Sequence, residues 1–148
     1  ADGAFLEHAQ VFGNWYGTAE ATLRSGLAEG QAVVLEIDWQ GARQVRGRFQ
    51  EAVGIFVLPP SVAALDLRLR GRGQDGETVI AARMAQAREE IGHYRDYDYL
   101  VVNDTFDVAL DDLAAIVRAQ RLRRAVQGPR LAGLLDDLLG GPDGRPAL

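Results

Sequence analysis

Two hydrophobic rhythms share the chain: short continuous apolar runs, and apolar residues spaced three or four apart. From Phe5 to Tyr16, aromatic and β-branched residues crowd together and Gly13-Asn14 breaks the run. That predicts two short strands joined by a turn. Thr18 then offers an N-cap, and Ala19, Leu23 and Leu27 recur every four residues up to Gly30, a fitting residue just past a helix end. The run Ala32-Val33-Val34-Leu35-Glu36-Ile37 has the character of a buried parallel strand. Similar runs follow at Gly54-Ile55-Phe56-Val57-Leu58 and at Tyr99-Leu100-Val101-Val102, and a helix-like stretch from Gln40 to Phe49 separates the first two.

Pro59-Pro60 forces an extended exit from the second run, and Ser61 can cap a helix carrying Val62, Leu65 and Leu69. Gly71-Arg72-Gly73 interrupts that helix. A longer one is expected from about Glu77 to Tyr94, with Ile80, Met84, Ala87 and Ile91 on one stripe. The last clear helix is expected from Phe106 to Val126, with Leu110, Leu113 and Val117 facing inward. Strands alternating with helices predict an α/β fold built on a parallel sheet with flanking helices. The tail from Gly128 to Leu148, with three prolines and five glycines, reads as a short Leu-rich helix followed by a flexible end.

Composition narrows the chemistry. The 148 residues carry 16 basic and 21 acidic side chains, a formal charge of −5, and every basic residue is arginine. With no lysine, a Schiff-base lysine and the lysine of a phosphate loop are both excluded from this chain. With no cysteine, disulfides, Cys-ligated zinc and a cysteine nucleophile are excluded too. The acidic balance argues against nucleic-acid or anionic-membrane partners, and no apolar run approaches a membrane span. Length suits one domain. No signal-like segment opens the chain. It starts at Ala1 rather than Met, and its only methionine is Met84, so a processed, excised or incomplete chain is expected.

Three groups of residues could carry chemistry. Glu36 and Asp38 close an apolar run with both acids on one side, at the strand edge where open α/β sheets bind ligands; an acid there can equally mark a chain entering solvent. Arg68, Arg70, Arg72, Arg83 and Arg88 form a guanidinium group suited to phosphoryl oxygens, or else a solvated helix face with acidic partners. The third group, Glu7 with Tyr16 and Thr18, places a carboxylate, a phenol and a hydroxyl in one hairpin, either as a ligand pocket or as an ordinary amphipathic surface. His8 and His93 read as packing or hydrogen-bonding residues, since no cluster of metal ligands surrounds either.

Taken in order, the stretches FLEHAQVFGNWYGT, VVLEIDWQGARQVR, IFVLPPS, LRLRGRGQDGETVIAARM and YDYLVVND resemble the guanylate kinase family, over about Gly3 to Arg124. The resemblance implies a P-loop nucleoside-monophosphate-kinase-like fold that moves a phosphoryl group from ATP to GMP, with Mg2+ as cofactor, in cytoplasmic purine metabolism. By that resemblance, Glu7 accepts from guanine N1–H and the 2-amino group, Tyr16 bonds the GMP phosphate, and Thr18 sits near the guanine carbonyl edge. Asp38 lies by the 2-amino group and, with Glu36, near the magnesium. Arg68, Arg72 and Arg83 correspond to lid arginines that act in the transfer, within a lid region spanning 61–94. Arg72, Asn103 and Asp104 lie at the ATP side, although Thr105 stands where the family often has a second acid.

One departure matters more. The family's opening strand, glycine-rich loop with its lysine, and following helix have no counterpart here, nor do a serine and two arginines that hold GMP. The resemblance therefore covers a domain over 1–127 that is incomplete at its N-terminus, with 1–18 left of the GMP-binding region and 128–148 as a tail. The expectation is an enzyme lineage whose 148-residue chain, alone, is inactive and either folds marginally or associates. The rival reading is a non-catalytic guanylate-kinase-like domain that binds protein partners. A small acidic α/β domain with no nucleotide role is a third.

Overall fold

The computed structural model describes residues 4–11, 14–71 and 76–140. It divides after Val102 into two compact units.

The first unit opens with an antiparallel hairpin, β1 (Phe5–Val11) and β2 (Asn14–Ala19). Its register pairs Glu7 with Thr18, His8 with Gly17, Ala9 with Tyr16 and Gln10 with Trp15. Directly paired residues share a face, so Glu7, Thr18, Ala9 and Tyr16 lie on one side. On the other, the His8 and Trp15 rings stand 5.9 Å apart. An irregularity between Phe5 and Glu7 breaks strict alternation, and both Leu6 and Glu7 are buried.

Helix α1 (Glu20–Ala28) follows directly, with Ala19 rather than Thr18 at its N-cap. The expected Thr18 cap is not formed because its hydroxyl is spent across the hairpin, on Glu7. The helix ends as expected at Gly30, whose φ of 73° lets its N–H bond the Leu27 carbonyl at 3.0 Å while Gln31 N–H reaches Gly26 at 2.9 Å. Helix α2 (Trp39–Arg48) is capped by Asp38, whose Oδ1 accepts from Gly41 N–H at 2.9 Å. It lies against β1, where the Gln44 amide acts as a surrogate strand, accepting from His8 N–H at 3.2 Å and donating to His8 C=O at 2.8 Å. Leu6, Leu23 and Val45, from three different elements, make the core, with Leu35, Ile37, Phe49 and Ala52 packed around it. Arg48 binds this cluster from outside, donating to Glu20 at 2.8 Å and to the Phe5 carbonyl at 3.2 Å.

The strand expected over Ala32–Ile37 is not formed: residues 31–38 run without regular structure. Leu35 and Ile37 pack on the core, yet Val34 is 80% exposed. A strand exists only through its ladder, and among the described residues no neighbour pairs with this run. The other two runs do pair, as β3 (Ile55–Leu58) and β4 (Tyr99–Val102), parallel and in register from Ile55 with Tyr99 to Leu58 with Val102. Asp98 anchors the start of this pair. It accepts from Gly54 N–H at 2.8 Å and from Arg46 of α2 at 2.7 Å.

Between those strands, α3 (Val62–Gly71) begins at Ser61, whose Oγ accepts from Ala64 N–H at 3.0 Å. It packs against α4 (Glu77–Gly92). A 3₁₀ turn, Tyr94–Asp96, leads on to β4, and there His93 stacks on Trp39 with ring centroids 3.8 Å apart.

The second unit is helical: α5 (Phe106–Arg121), α6 (Arg124–Arg130) and α7 (Ala132–Leu138). The expected single helix to Val126 instead breaks after Arg121, and Leu110, expected inward, is exposed while its neighbour Ala109 is buried. Asp107 in the first turn and Arg118 and Arg121 in the last suit the helix dipole of α5. The first half of the tail is thus helical, and residues 141–148 lie outside the described residues. No helix among the described residues is long and apolar enough to cross a membrane.

Candidate nucleotide site

The hairpin face and the run before α2 enclose a cleft of about 580 Å³. Glu7, Tyr16 and Thr18 line it from the hairpin, and Glu36 and Asp38 from the run. Five residues from two groups that looked separate along the sequence therefore meet in one place.

Glu7 is the most constrained of them, at 3% exposure. The Thr18 hydroxyl donates to its Oε1 at 2.6 Å, a short charge-assisted bond that follows from their cross-strand pairing. Its Oε2 sits against the start of α2: a Cβ at position 41 would stand 2.9 Å from it, so Gly41 is what lets helix and carboxylate approach. Asp38 serves the fold and the cleft together, since its Oδ1 caps α2 and Gln40 donates to its Oδ2 at 3.1 Å.

Sequence reasoning missed Glu90, which lines the same cleft from α4. Burial first, then the charges of Asp38 and Glu89, push its carboxyl above the usual range. Tyr97 nearby is pushed up by burial and by Asp38, Glu90 and Asp96, against an opposing pull from Arg46. A signal did exist: Glu90 falls seven residues after Arg83, on the same helix face, and each follows a member of the apolar stripe by three.

The arginine group divides. Arg70 forms ion pairs with Asp66, 2.8 Å away, and with Glu77, which ties α3 to the start of α4. The two carboxylates hold its guanidinium well above the ordinary value, while Arg70, chiefly by hydrogen bonding, holds Glu77 below the usual carboxylate range. Arg70 is thus a structural clamp. Arg68 is exposed on α3, Arg83 is half-buried on α4, and neither lines the cleft. Arg72 lies outside the described residues. Asn103 and Asp104 follow β4 and open the second unit.

Among the described residues no three acidic or histidine side chains are grouped so as to hold a metal ion by themselves. Magnesium is commonly bound by one or two carboxylates plus substrate phosphates, and Glu36 and Asp38, together on the cleft wall, fit that smaller share.

A hairpin, a parallel strand pair and packed helices make this an α/β protein, and its buried carboxylate faces an acceptor-lined cleft. Residues 1–120 match the family model described as guanylate kinase. The guanylate kinase of Salmonella typhimurium is 59% identical over 136 residues, covering 92% of this chain and 66% of that protein. That of Escherichia coli K12 is 58% identical over the same length and shares. The crystal structure of guanylate kinase from Anaplasma phagocytophilum superposes with a TM-score of 0.70 at 33% identity, covering 88% of this chain and 66% of that one. The chain belongs to the guanylate kinase family and spans 66% of the length of the curated relatives it matches.

Proposed function

We propose that the protein's activity is phosphoryl transfer from ATP to GMP, giving ADP and GDP, and that these 148 residues supply its guanine-recognition site. One observation carries the reading: a carboxylate only 3% exposed, fixed by Thr18, facing a cleft in a member of this family. Such an acceptor suits the adjacent N1–H and 2-amino donors of guanine. Adenine has no donor at those two places, and would leave the buried charge unpaired. On this reading Tyr16 bonds the GMP phosphate, Thr18 stands by the guanine carbonyl edge, and Asp38 by the 2-amino group. Arg68, Arg72 and Arg83 close over the phosphates, where fixed guanidinium charge favours the transfer. Asn103, Asp104 and Arg72 serve the ATP side. Glu36 and Asp38 are the residues that would hold Mg2+, which when bound neutralises phosphate charge. On this reading the protein works in the cytoplasm.

The phosphate-loop lysine is not among the 148 residues, so binding without appreciable turnover is expected of them. Calorimetric titration tests the site directly. GMP should bind and AMP should not, and Glu7→Gln, which sets an amide donor against guanine donors, should weaken GMP on the order of a hundredfold. Equal binding of both nucleotides, or a Glu7→Gln variant that binds GMP normally, would refute the assignment.

A further inference from the structure

Three cleft carboxylates stand in a definite order. Glu7 Oε2 and Asp38 Oδ1 lie 2.9 and 3.4 Å from the single point where a Gly41 Cβ would be, so they are neighbours at the start of α2. Glu90 lines the same cleft from α4, on its Asp38 side: His93, three residues on, is stacked against Trp39, the residue after Asp38.

Along its Watson–Crick edge and on round the sugar edge, a guanine nucleotide presents donors in a matching sequence. N1–H comes first, the 2-amino group next, then the ring nitrogen N3, which only accepts, and after it the ribose 2′-hydroxyl. With Glu7 at the first two and Asp38 at the outer amino hydrogen, the next donor in line is that hydroxyl. We propose, on the reading of this cleft as the GMP site, that Glu90 accepts a hydrogen bond from the ribose 2′-hydroxyl and thereby sets a preference for the ribonucleotide over its 2′-deoxy form. Two further observations agree. The half-buried carboxylate is held in a place that disfavours its charge, and a hydroxyl donor arriving there relieves that. Arg83, which the proposed reading sets over the phosphates, lies on the same face of α4 two turns back, about 10 Å along the axis.

The test compares GMP with 2′-deoxy-GMP by calorimetry on the full 148-residue chain, unsubstituted and carrying Glu90→Ala or Glu90→Gln. The unsubstituted chain should bind GMP about tenfold more tightly than the deoxynucleotide. In Glu90→Ala the ratio should fall to about one through loss of GMP affinity alone, with deoxynucleotide affinity unchanged. Glu90→Gln, which keeps an acceptor oxygen, should retain part of the preference. Because each ratio is taken on one protein, a loosened site weakens both ligands and leaves the ratio where it was. Such a result, or a chain that binds GMP over AMP yet ignores the 2′-hydroxyl, overturns the role of Glu90 alone. A chain that binds neither GMP nor 2′-deoxy-GMP overturns the GMP reading as well.

Discussion

The hairpin with its two covering helices and the run from Gln31 to Asp38 are built from similar side chains and end in opposite conditions. Leu6 is 0% exposed, held between α1 and α2 by Leu23 and Val45. Val34, in a run at least as apolar, is 80% exposed. Each strand of the hairpin has a ladder partner, a helix across it, and a side-chain amide finishing the free edge at His8. The run has only its alternate residues, Leu35 and Ile37, in contact with the core. Apolar area stabilises in proportion to what covers it, so hydrophobicity along the chain measures an opportunity, and contacts determine whether it is taken. The candidate site lies where the two regions meet: its buried acid comes from the first and its more exposed acids from the second.

The largest effect that sharpens this contrast is expected at Leu6. Truncating it to alanine empties a fully buried position between three elements and should cost roughly 3 kcal/mol in urea unfolding followed by circular dichroism. It should also weaken GMP binding, since Leu6 and Glu7 share the irregular stretch of β1 that turns both inward. A loss under about 1 kcal/mol would mean that the hairpin cluster is not the stabilising centre of the first unit.

What could be read from the sequence follows the same division. Features fixed by neighbours in the chain were legible: the αL glycine after α1, the Ser61 cap, and the apolar runs that became β3 and β4, while the break expected at Gly13-Asn14 lies partly outside the described residues. Features fixed by partners far along the chain were not. Ala32–Ile37 has a strand's composition, but its ladder depends on residues that the run itself does not specify. Thr18 had two uses open to its hydroxyl, and the cross-strand carboxylate took it in place of the helix N-terminus. In the site, Glu7, Tyr16, Thr18, Glu36 and Asp38 could each be singled out by residue type and position, although their convergence needed the hairpin to fold against α2. Glu90 was hidden because an acid beside a helix stripe is ordinarily solvated, and here burial, with Asp38 and Glu89 close by, makes it otherwise.

A middle-sized effect separates two glycines of one helix. Gly47 has open space around it, so Gly47→Ala should gain about 0.5–1 kcal/mol from reduced backbone freedom in the unfolded chain. Gly41 offers the same gain in principle, but an added Cβ would stand 2.9 Å from Glu7 Oε2 and 3.2 Å from Ile37 Cβ. Neither neighbour can yield freely, since Glu7 is buried and held by Thr18 and Ile37 packs on the core. Gly41→Ala should therefore lose about 1–2 kcal/mol and most of the GMP affinity. If both alanines stabilise, the close approach of α2 to the carboxylate is not a requirement of the site.

The smallest effect is the most direct probe of the exposed region. At Val34 a serine removes two methyl groups that already face water, so Val34→Ser should change the unfolding free energy of this chain by no more than about 0.5 kcal/mol. The matching change at Val45, buried in the core cluster, removes methyls that Leu6 and Leu23 touch, and it leaves a hydroxyl without water; it should cost several times as much. Measured side by side in urea, the two serines read the burial of each site from one substitution type. A Val34→Ser cost approaching that of Val45→Ser would show that the run is covered in solution, and it would then count as a strand in fact as well as in composition.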